Sequence, residues 1–484
     1  MAETIPHWLT KQAFLSPNQP AIELVDGTVI TFHELKEKSQ AFAKRLATLG
    51  IQKGNHIGVL SNNNLDMIIA VHALSYLGAV IVLLNTRLTT EEINYQLDDA
   101  EVRVVLAADD LIQKANELSI DFVRSFSEVG KEAKQDTQLV SEINLDDPFT
   151  IIYTSGTTGF PKGVVHTYGN HWWSAIGSAL NLGLSESDKW LAVLPYFHVG
   201  GFSIFIKSVI YGMPVYLVEK FDEQIVLDAI INRGVTIVSV VTVMLQRMIQ
   251  SLGESRLPNH FRCMLLGGGP APIPLLKKAN ERNIPVFQSF GMTETSSQIV
   301  TLSPRDAFAK VGSAGKALFP AQIKIKNSAP NEIGEILVKG PMVTNGYFNN
   351  QEANEESFQN GWLTTGDLGY IDEEGFLYVV DRRKDLIISG GENIYPSEIE
   401  SVLSGYDGVK EVGVAGKPDD NWGQIPVAFI VRSNNNLQQE EIIDYAKKRL
   451  AKYKLPKEIY FVESLPRNAS NKLVRSKLLE LLND

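Results

Sequence analysis

A single cysteine, Cys263, stands among the 484 residues. No intramolecular disulfide can form, and a reducing compartment, the cytoplasm, is the expected setting. In "RCMLLGGG" the thiol reads as buried packing rather than as a nucleophile. A basic excess is also lacking: 45 lysines and arginines against 56 aspartates and glutamates give a net charge of −11, which argues against a nucleic-acid surface. The start, "MAETIPHWLTKQAF", has no basic stretch leading into an apolar core, so secretion is not expected. There is no internal repeat and no low-complexity tract. One run approaches bilayer length, "MIIAVHALSYLGAVIVLL" at 67–84. His72 lies within it and Gly78 divides it, so it reads as a helix followed by a fully buried strand, with no membrane span. Any polyanion must therefore be met locally, by particular loops.

What the chain has in abundance is alternation. The hydrophobic content of 44% supports large cores. "HIGVLS", "AVIVLL", "VRVVLA", "PVYLV", "TIVSVV", "CMLLGG" and "PVFQSF" alternate with helical patterns. Strand, crossover helix, strand implies an α/β fold with parallel sheets covered on both faces. Ligands in such folds lie beyond the carboxyl ends of the strands. From about residue 311 short strands with turn signals, "GEILVKG", "GWLTTGDLGYID" and "EEGFLYVVD", read as a smaller β-rich lobe. The expected organisation is an N-terminal domain over 1–381 and a small α+β C-terminal domain over 382–484. "SNNNL" at 433–437 reads as a turn between a strand and an amphipathic helix, and the basic "KKRLAKYKLPK" at 447–457 as a mostly solvated helix face.

The stretch "IIYTSGTTGFPKG", 151–163, packs hydroxyls, glycines, a proline and a lysine behind an apolar lead-in. Glycine lets backbone N–H groups approach an anion, and Ser and Thr hydroxyls add donors. "FTIIYT" reads as a buried strand delivering this phosphate loop, as anion sites of α/β folds are usually presented. A P-loop nucleotidase is excluded. Lys162 follows Pro161 and precedes Gly163, so the metal-binding hydroxyl is missing and Pro161 offers no N–H. Two further loops follow strands, "GGGPAP" at 267–272 and "GMTET" at 291–295, and all three are expected to converge on one crevice.

Five strings in register, "YTSGTTGFPKG", "FGMTE" at 290–294, "TTGD" at 364–367, "DRRKDLIISGGENIYPSEIE" at 381–400 and "PRNASNK" at 466–472, cover nearly the whole chain. On these the chain resembles the adenylate-forming superfamily of acyl-CoA synthetases, luciferases and peptide-synthetase adenylation domains. The resemblance implies a large N-terminal domain, a small C-terminal domain that rotates, and two half-reactions. A carboxylate and ATP give an acyl-adenylate and pyrophosphate; a thiol, here of coenzyme A, then displaces AMP.

The matching positions carry expected roles. Thr154, Ser155, Gly156, Thr157, Thr158, Gly159 and Lys162 hold phosphates. Glu294 and Thr154 hold Mg²⁺, for which hard oxygen donors are suited. Gly268, Gly269, Ser289, Phe290, Gly291, Met292 and Thr293 line the nucleotide, with the Phe290 ring offering a face to adenine. Asp367 accepts the ribose hydroxyls, and Arg382 partners ribose and phosphate. Lys472 is the expected catalyst of adenylation, stabilising charge on the α-phosphoryl group. The residue before it is Asn471 where the family usually has Gly, and Asn tolerates left-handed backbone. Lys384 is the expected hinge, and Gly390, Gly391 and Glu392 are expected to line a pantetheine tunnel.

The acid is read less directly. "LPYFHVGG" at 194–201 matches the segment whose histidine, here His198, walls the acyl tunnel. His198, Gly267, Gln288 and Ser297 are the expected acid contacts, with Thr295, Ser296 and Gln298 as further polar candidates. "PHWLTKQAFLSPNQPAIEL", "LLGGGPAPIPLL" and "PVFQSFGMTETSSQIVTLSP" resemble a bacterial subgroup whose acid has an aromatic ring, a keto group and two carboxylates. A ligase for another aromatic or fatty acid, a carrier-loading adenylation domain and a non-catalytic nucleotide-binding regulator are the rival readings. The expected partners are small molecules, and a homo-oligomer is left open.

Overall fold

The computed structural model describes the chain apart from residues 1–2, 155–160, 268–272, 327–328, 382–384, 395, 434–436, 467–472, 474 and 483–484. Two sheets form the body of the large N-terminal domain. The first has six strands in the order Lys162–Thr167, Pro148–Thr154, Val80–Leu84, His56–Leu60, Val104–Ala107 and Val123–Ser125. All of its pairings are parallel except that between the first two strands. The second has nine strands, with a parallel centre running from Val286–Met292 through Cys263–Gly267, Ile237–Val241, Trp190–Ala192 and Val215–Leu217 to Pro20–Leu24.

Helices Leu65–Leu77 and Val199–Tyr211 belong to the main core, with most of their residues buried. A helix enclosed on all sides is apolar all round, which is why 67–77 imitates a membrane segment. Asn64 caps its start, accepting the Met67 N–H at 2.8 Å, and Gly78 ends it at φ 68. Among the described residues no helix is long and apolar enough to cross a membrane. Cys263 is buried on its strand, where desolvation pushes its thiol up to about 12.

A five-stranded antiparallel sheet, spanning Gln322–Ile325 to Leu377–Asp381, forms the β-rich lobe. The small C-terminal unit carries a further sheet, beginning at Ile387–Ser389, with helices Pro396–Ser404 and Gln439–Lys447 packed on it. "SNNNL" falls between Gly423–Arg432 and Gln439–Lys447, with residues 434–436 outside the described set.

The strand expected to deliver the phosphate loop is present as Pro148–Thr154, and Lys162–Thr167 returns antiparallel to it.

Candidate active site

Thr154 and Lys162 face each other across the base of that hairpin. Phe149, Thr150, Ile151 and Ile152 are buried, which anchors the strand that carries it. The Lys162 ammonium lies 5.2 Å from the centre of the Tyr347 ring. The Tyr347 hydroxyl in turn donates to Glu294 Oε1 at 3.0 Å. Glu294 is only 6% exposed. Burial raises its pKa above the usual carboxylate range and the Asp367 carboxylate adds to the rise, while the backbone, Tyr347 and the Lys162 ammonium oppose it. Residues from three distant segments thus share one electrostatic neighbourhood.

Two carboxylates and one ammonium leave that neighbourhood net negative, which suits a hard divalent cation carrying a polyphosphate. Among the described residues no group of three His, Cys, Asp or Glu stands ready to hold a metal by itself. A cation held through Glu294 and substrate oxygens fits this arrangement, as Mg²⁺ usually binds.

The strands Ile237–Val241, Cys263–Gly267 and Val286–Met292 are parallel neighbours, and their carboxyl ends lie side by side. Val241 pairs with Gly267, and Gln288 with Leu266. The Ser289 hydroxyl donates to Leu266 O at 3.0 Å. Gly291 is required: a Cβ there would lie 2.1 Å from Ser297 O. The tight turn that follows puts Ser296 and Ser297 at φ 53 and 110. Met292 and Thr293 lead into it, and the Thr293 carbonyl accepts from His166 Nε2 at 2.7 Å.

Several expected polar contacts are absorbed by this turn. The Thr295 hydroxyl accepts the Met292 N–H at 2.9 Å and lies 2.7 Å from Ser297 O. The Ser296 hydroxyl donates to Met342 O at 2.9 Å. These two residues hold the loop rather than offering free donors. Phe290, expected beside adenine, is 5% exposed and packs with Ile299, Val300 and Met342. Asp367 is half-buried after Gly366, which sits at φ 74, and its N–H bonds Thr365 Oγ1 at 3.1 Å.

The small unit reaches this crevice through the turn between Ile387–Ser389 and Glu392–Ile394. Gly390 and Gly391 take φ 58 and 86. A Cβ on Gly391 would stand 2.9 Å from Val241 Cγ2, so glycine permits backbone of one unit to abut a strand end of the other. Glu392 forms an ion pair with Arg87, and its other carboxylate oxygen lies 3.4 Å from His198 Nε2. His198 is the residue before helix Val199–Tyr211. Burial, reinforced by the Arg87 charge, draws its imidazole down to about 4.

A second junction was not foreseen. Lys454, in the stretch expected to be a solvated helix face, is 3% exposed and lies 2.6 Å from Glu398 and 2.9 Å from Glu92. Burial alone would lower its pKa; Tyr453, Glu398 and Glu92 outweigh this and hold it raised. The helix stops at Lys447, and the lysine is flanked by Tyr453, Leu455 and Pro456. That apolar setting was the available signal. Ser155, Gly156, Thr157, Thr158, Gly159, Gly268, Gly269, Arg382, Lys384 and Lys472 lie outside the described residues.

A large α/β domain with a small unit laid over its strand ends defines a two-domain nucleotide-dependent enzyme class. The chain belongs to the AMP-binding enzyme family: residues 9–348 match the AMP-binding enzyme domain and residues 398–472 its C-terminal domain. A 2-succinylbenzoate–CoA ligase of Oceanobacillus iheyensis is 59% identical over 483 residues, covering 99% of this chain and 100% of its own length. A double variant of the o-succinylbenzoate CoA synthetase of Bacillus subtilis, bound with its product analogue OSB-NCoA, matches with a TM-score of 0.95 at 49% identity. The match covers 99% of this chain and 98% of that one. The same synthetase with ATP and magnesium ion gives 0.78 at 48% identity, covering 99% and 100%. Identity and coverage barely differ between the two, so divergence does not explain the gap. The drop in score is close to the small unit's share of the chain, roughly one fifth. The small unit here is arranged as in the product-analogue complex.

Proposed function

We propose that the chain is an AMP-forming acid–thiol ligase that converts 2-succinylbenzoate, ATP and coenzyme A into 2-succinylbenzoyl-CoA, AMP and pyrophosphate. The reaction is a step of menaquinone biosynthesis, and the cytoplasm is its expected place. The single observation that carries the reading is the docking of Gly391 and Glu392 against Val241 and His198. It supports the reading because a glycine-lined turn of the small unit abuts the strand end at Val241, in a chain that resembles 2-succinylbenzoate–CoA ligases along its whole length.

In the first step a carboxylate oxygen attacks the α-phosphorus and pyrophosphate leaves. Lys162 and the loop from Thr154 hold the β- and γ-phosphates, and Asp367 with Arg382 holds the ribose. Lys472 stabilises charge gathering on the α-phosphoryl oxygens. Glu294 and Thr154 would hold Mg²⁺, which when bound neutralises charge on the departing pyrophosphate.

In the second step the thiol sulfur attacks the acyl carbon, the C–O bond to phosphate breaks, and AMP leaves. The small unit, turning about Lys384, removes Lys472 and brings in Gly390, Gly391 and Glu392. Glu392 and Arg87 fix the position of His198 at the mouth of the acyl tunnel. The imidazole walls the tunnel there.

Incubation with 2-succinylbenzoate, ATP, Mg²⁺ and coenzyme A, followed by mass analysis, tests this. A thioester of the diacid formed with equimolar AMP is the expected result. ATP cleavage to ADP, or no thioester from this acid, would overturn the reading.

A further inference from the structure

We propose that His166 is a positioning residue of the adenylation step: it sets the peptide plane between Thr293 and Glu294, and through that plane the carboxylate assigned to Mg²⁺. The inference rests on the ligase reading above and adds a residue outside the set expected from the sequence.

His166 lies on the strand that returns from the phosphate loop, Lys162–Thr167. Alternate residues of a strand share a face, so Lys162, Val164 and His166 project to one side. The first two meet Tyr347: the Lys162 ammonium lies over its ring, and Val164 packs against it. Tyr347 donates to Glu294 Oε1 at 3.0 Å. His166, two residues beyond Val164, donates from Nε2 to the Thr293 carbonyl at 2.7 Å. One strand face thus reaches Glu294 twice, at its carboxylate through Tyr347 and at the preceding peptide through His166.

The direction of each bond follows from its partners. The imidazole is fully buried, and burial, opposed by the Thr293 carbonyl, draws it down to about 4. A neutral ring carries one N–H. A carbonyl only accepts, so that hydrogen is on Nε2, and Nδ1 accepts from the Thr150 hydroxyl at 3.3 Å. The Thr150 oxygen in turn accepts from His171 Nε2 at 3.0 Å. Thr150 and His171 are buried as well, so the His166 ring is held from behind.

In a trans peptide the C=O and N–H point in opposite directions. Pinning the Thr293 carbonyl therefore aims the Glu294 N–H away from His166, and that N–H is among the groups that stabilise the Glu294 carboxylate. The Glu294 carbonyl is held too, by the Thr344 N–H at 2.8 Å. The turn that follows needs such anchors, because Ser297 sits at φ 110, a strained angle for a residue with a side chain. A valine at 166 would continue the buried strand but would take this donor from Thr293 O.

His166→Gln keeps an N–H donor at about the reach of Nε2, and His166→Leu removes it. His166→Leu should raise the half-saturating Mg²⁺ concentration for acid-dependent pyrophosphate release at least about tenfold, as loss of a group that orients a metal ligand does. Because Thr293 is expected at the nucleotide, AMP binding measured by calorimetry without metal should weaken by about tenfold. The maximal rate of thioester formation from saturating preformed acyl-adenylate should stay near wild type, and His166→Gln should recover most of both losses. Circular dichroism checks the fold. A folded His166→Leu chain with wild-type Mg²⁺ requirement and AMP affinity overturns the inference, as does a His166→Gln chain no better than His166→Leu. If His166→Leu does not fold, Thr150→Val, which removes only the hydroxyl that orients the ring, decides: a raised Mg²⁺ requirement supports the inference and a wild-type one overturns it. If the wild-type chain makes no thioester from 2-succinylbenzoate, the ligase reading itself fails, and the AMP affinities of the three chains still decide whether His166 sets Thr293.

Discussion

The ammonium of Lys454, in the small unit, lies 2.9 Å from a carboxylate oxygen of Glu92 in the large domain. The same ammonium contacts Glu398 of its own unit at 2.6 Å. In the proposed rotation of the small unit the Lys454–Glu398 pair stays and the Lys454–Glu92 pair breaks, so that on this reading the contact belongs to one arrangement of the two units and weights the balance between them.

Glu92→Gln removes the charge and keeps the shape. Loss of a buried, hydrogen-bonded charge partner costs on the order of 1–3 kcal/mol, so conversion of preformed acyl-adenylate to thioester should slow by about tenfold or more. Acid-dependent pyrophosphate release, which does not need this arrangement, should change little. Rapid-quench measurement of the two half-reactions checks this, and equal slowing of both would count against a latch.

Gly391→Ala places a methyl against Val241 at a backbone angle that alanine rarely adopts. Displacement of a reacting group by about 1 Å can cost about 10²-fold. The thioester step should fall by that order, with adenylation kept near its wild-type rate. The same pair of half-reaction assays reads the outcome.

Glu294→Gln removes the buried carboxylate assigned to Mg²⁺. Adenylation should fall by ~10²-fold and the half-saturating Mg²⁺ concentration should rise. Stability should not drop, because the substitution also removes a carboxylate that burial disfavours. A Mg²⁺ titration of pyrophosphate release alongside thermal melting distinguishes loss of the site from loss of the fold.

Lys207, buried in helix Val199–Tyr211, yields a prediction about stability. Its folded-state pKa of about 7 lies below the ordinary lysine value of 10.5. Between those values the unfolded chain binds the extra proton, so stability contributed at this position rises with pH. Lys207→Met should therefore melt a few degrees above wild type near pH 6.5, and the gap should narrow toward pH 9.5. A gap independent of pH would show that the lysine is not held as described.

The buried strands of the large domain were legible because fully buried parallel strands must be apolar throughout, as in "AVIVLL" and "TIVSVV". Glu294, Asp367 and the Gly390–Glu392 turn were legible as candidates, because glycines and carboxylates stand there within the strings that resemble the family. The hairpin return at Lys162–Thr167 was not, since an apolar run carries no sign of strand direction. Lys454 was misread because charge alone suggests solvent, and burial comes from two glutamates distant in sequence, Glu92 and Glu398. Thr295 and Ser296 looked like free donors, but only the fold reveals that Ser297 O and Met342 O take their hydroxyls. Lys207 passed unnoticed because a single lysine in an apolar helix gives no signal of its own.

The central claim is that one crevice serves both half-reactions, with Lys472 acting only in the first. The direct measurement is single-turnover kinetics of Lys472→Ala, once from acid and ATP and once from preformed acyl-adenylate and coenzyme A. Adenylate formation lost by several orders of magnitude, with thioester formation within a few-fold of wild type, is the predicted result. Comparable loss of both steps would contradict the account.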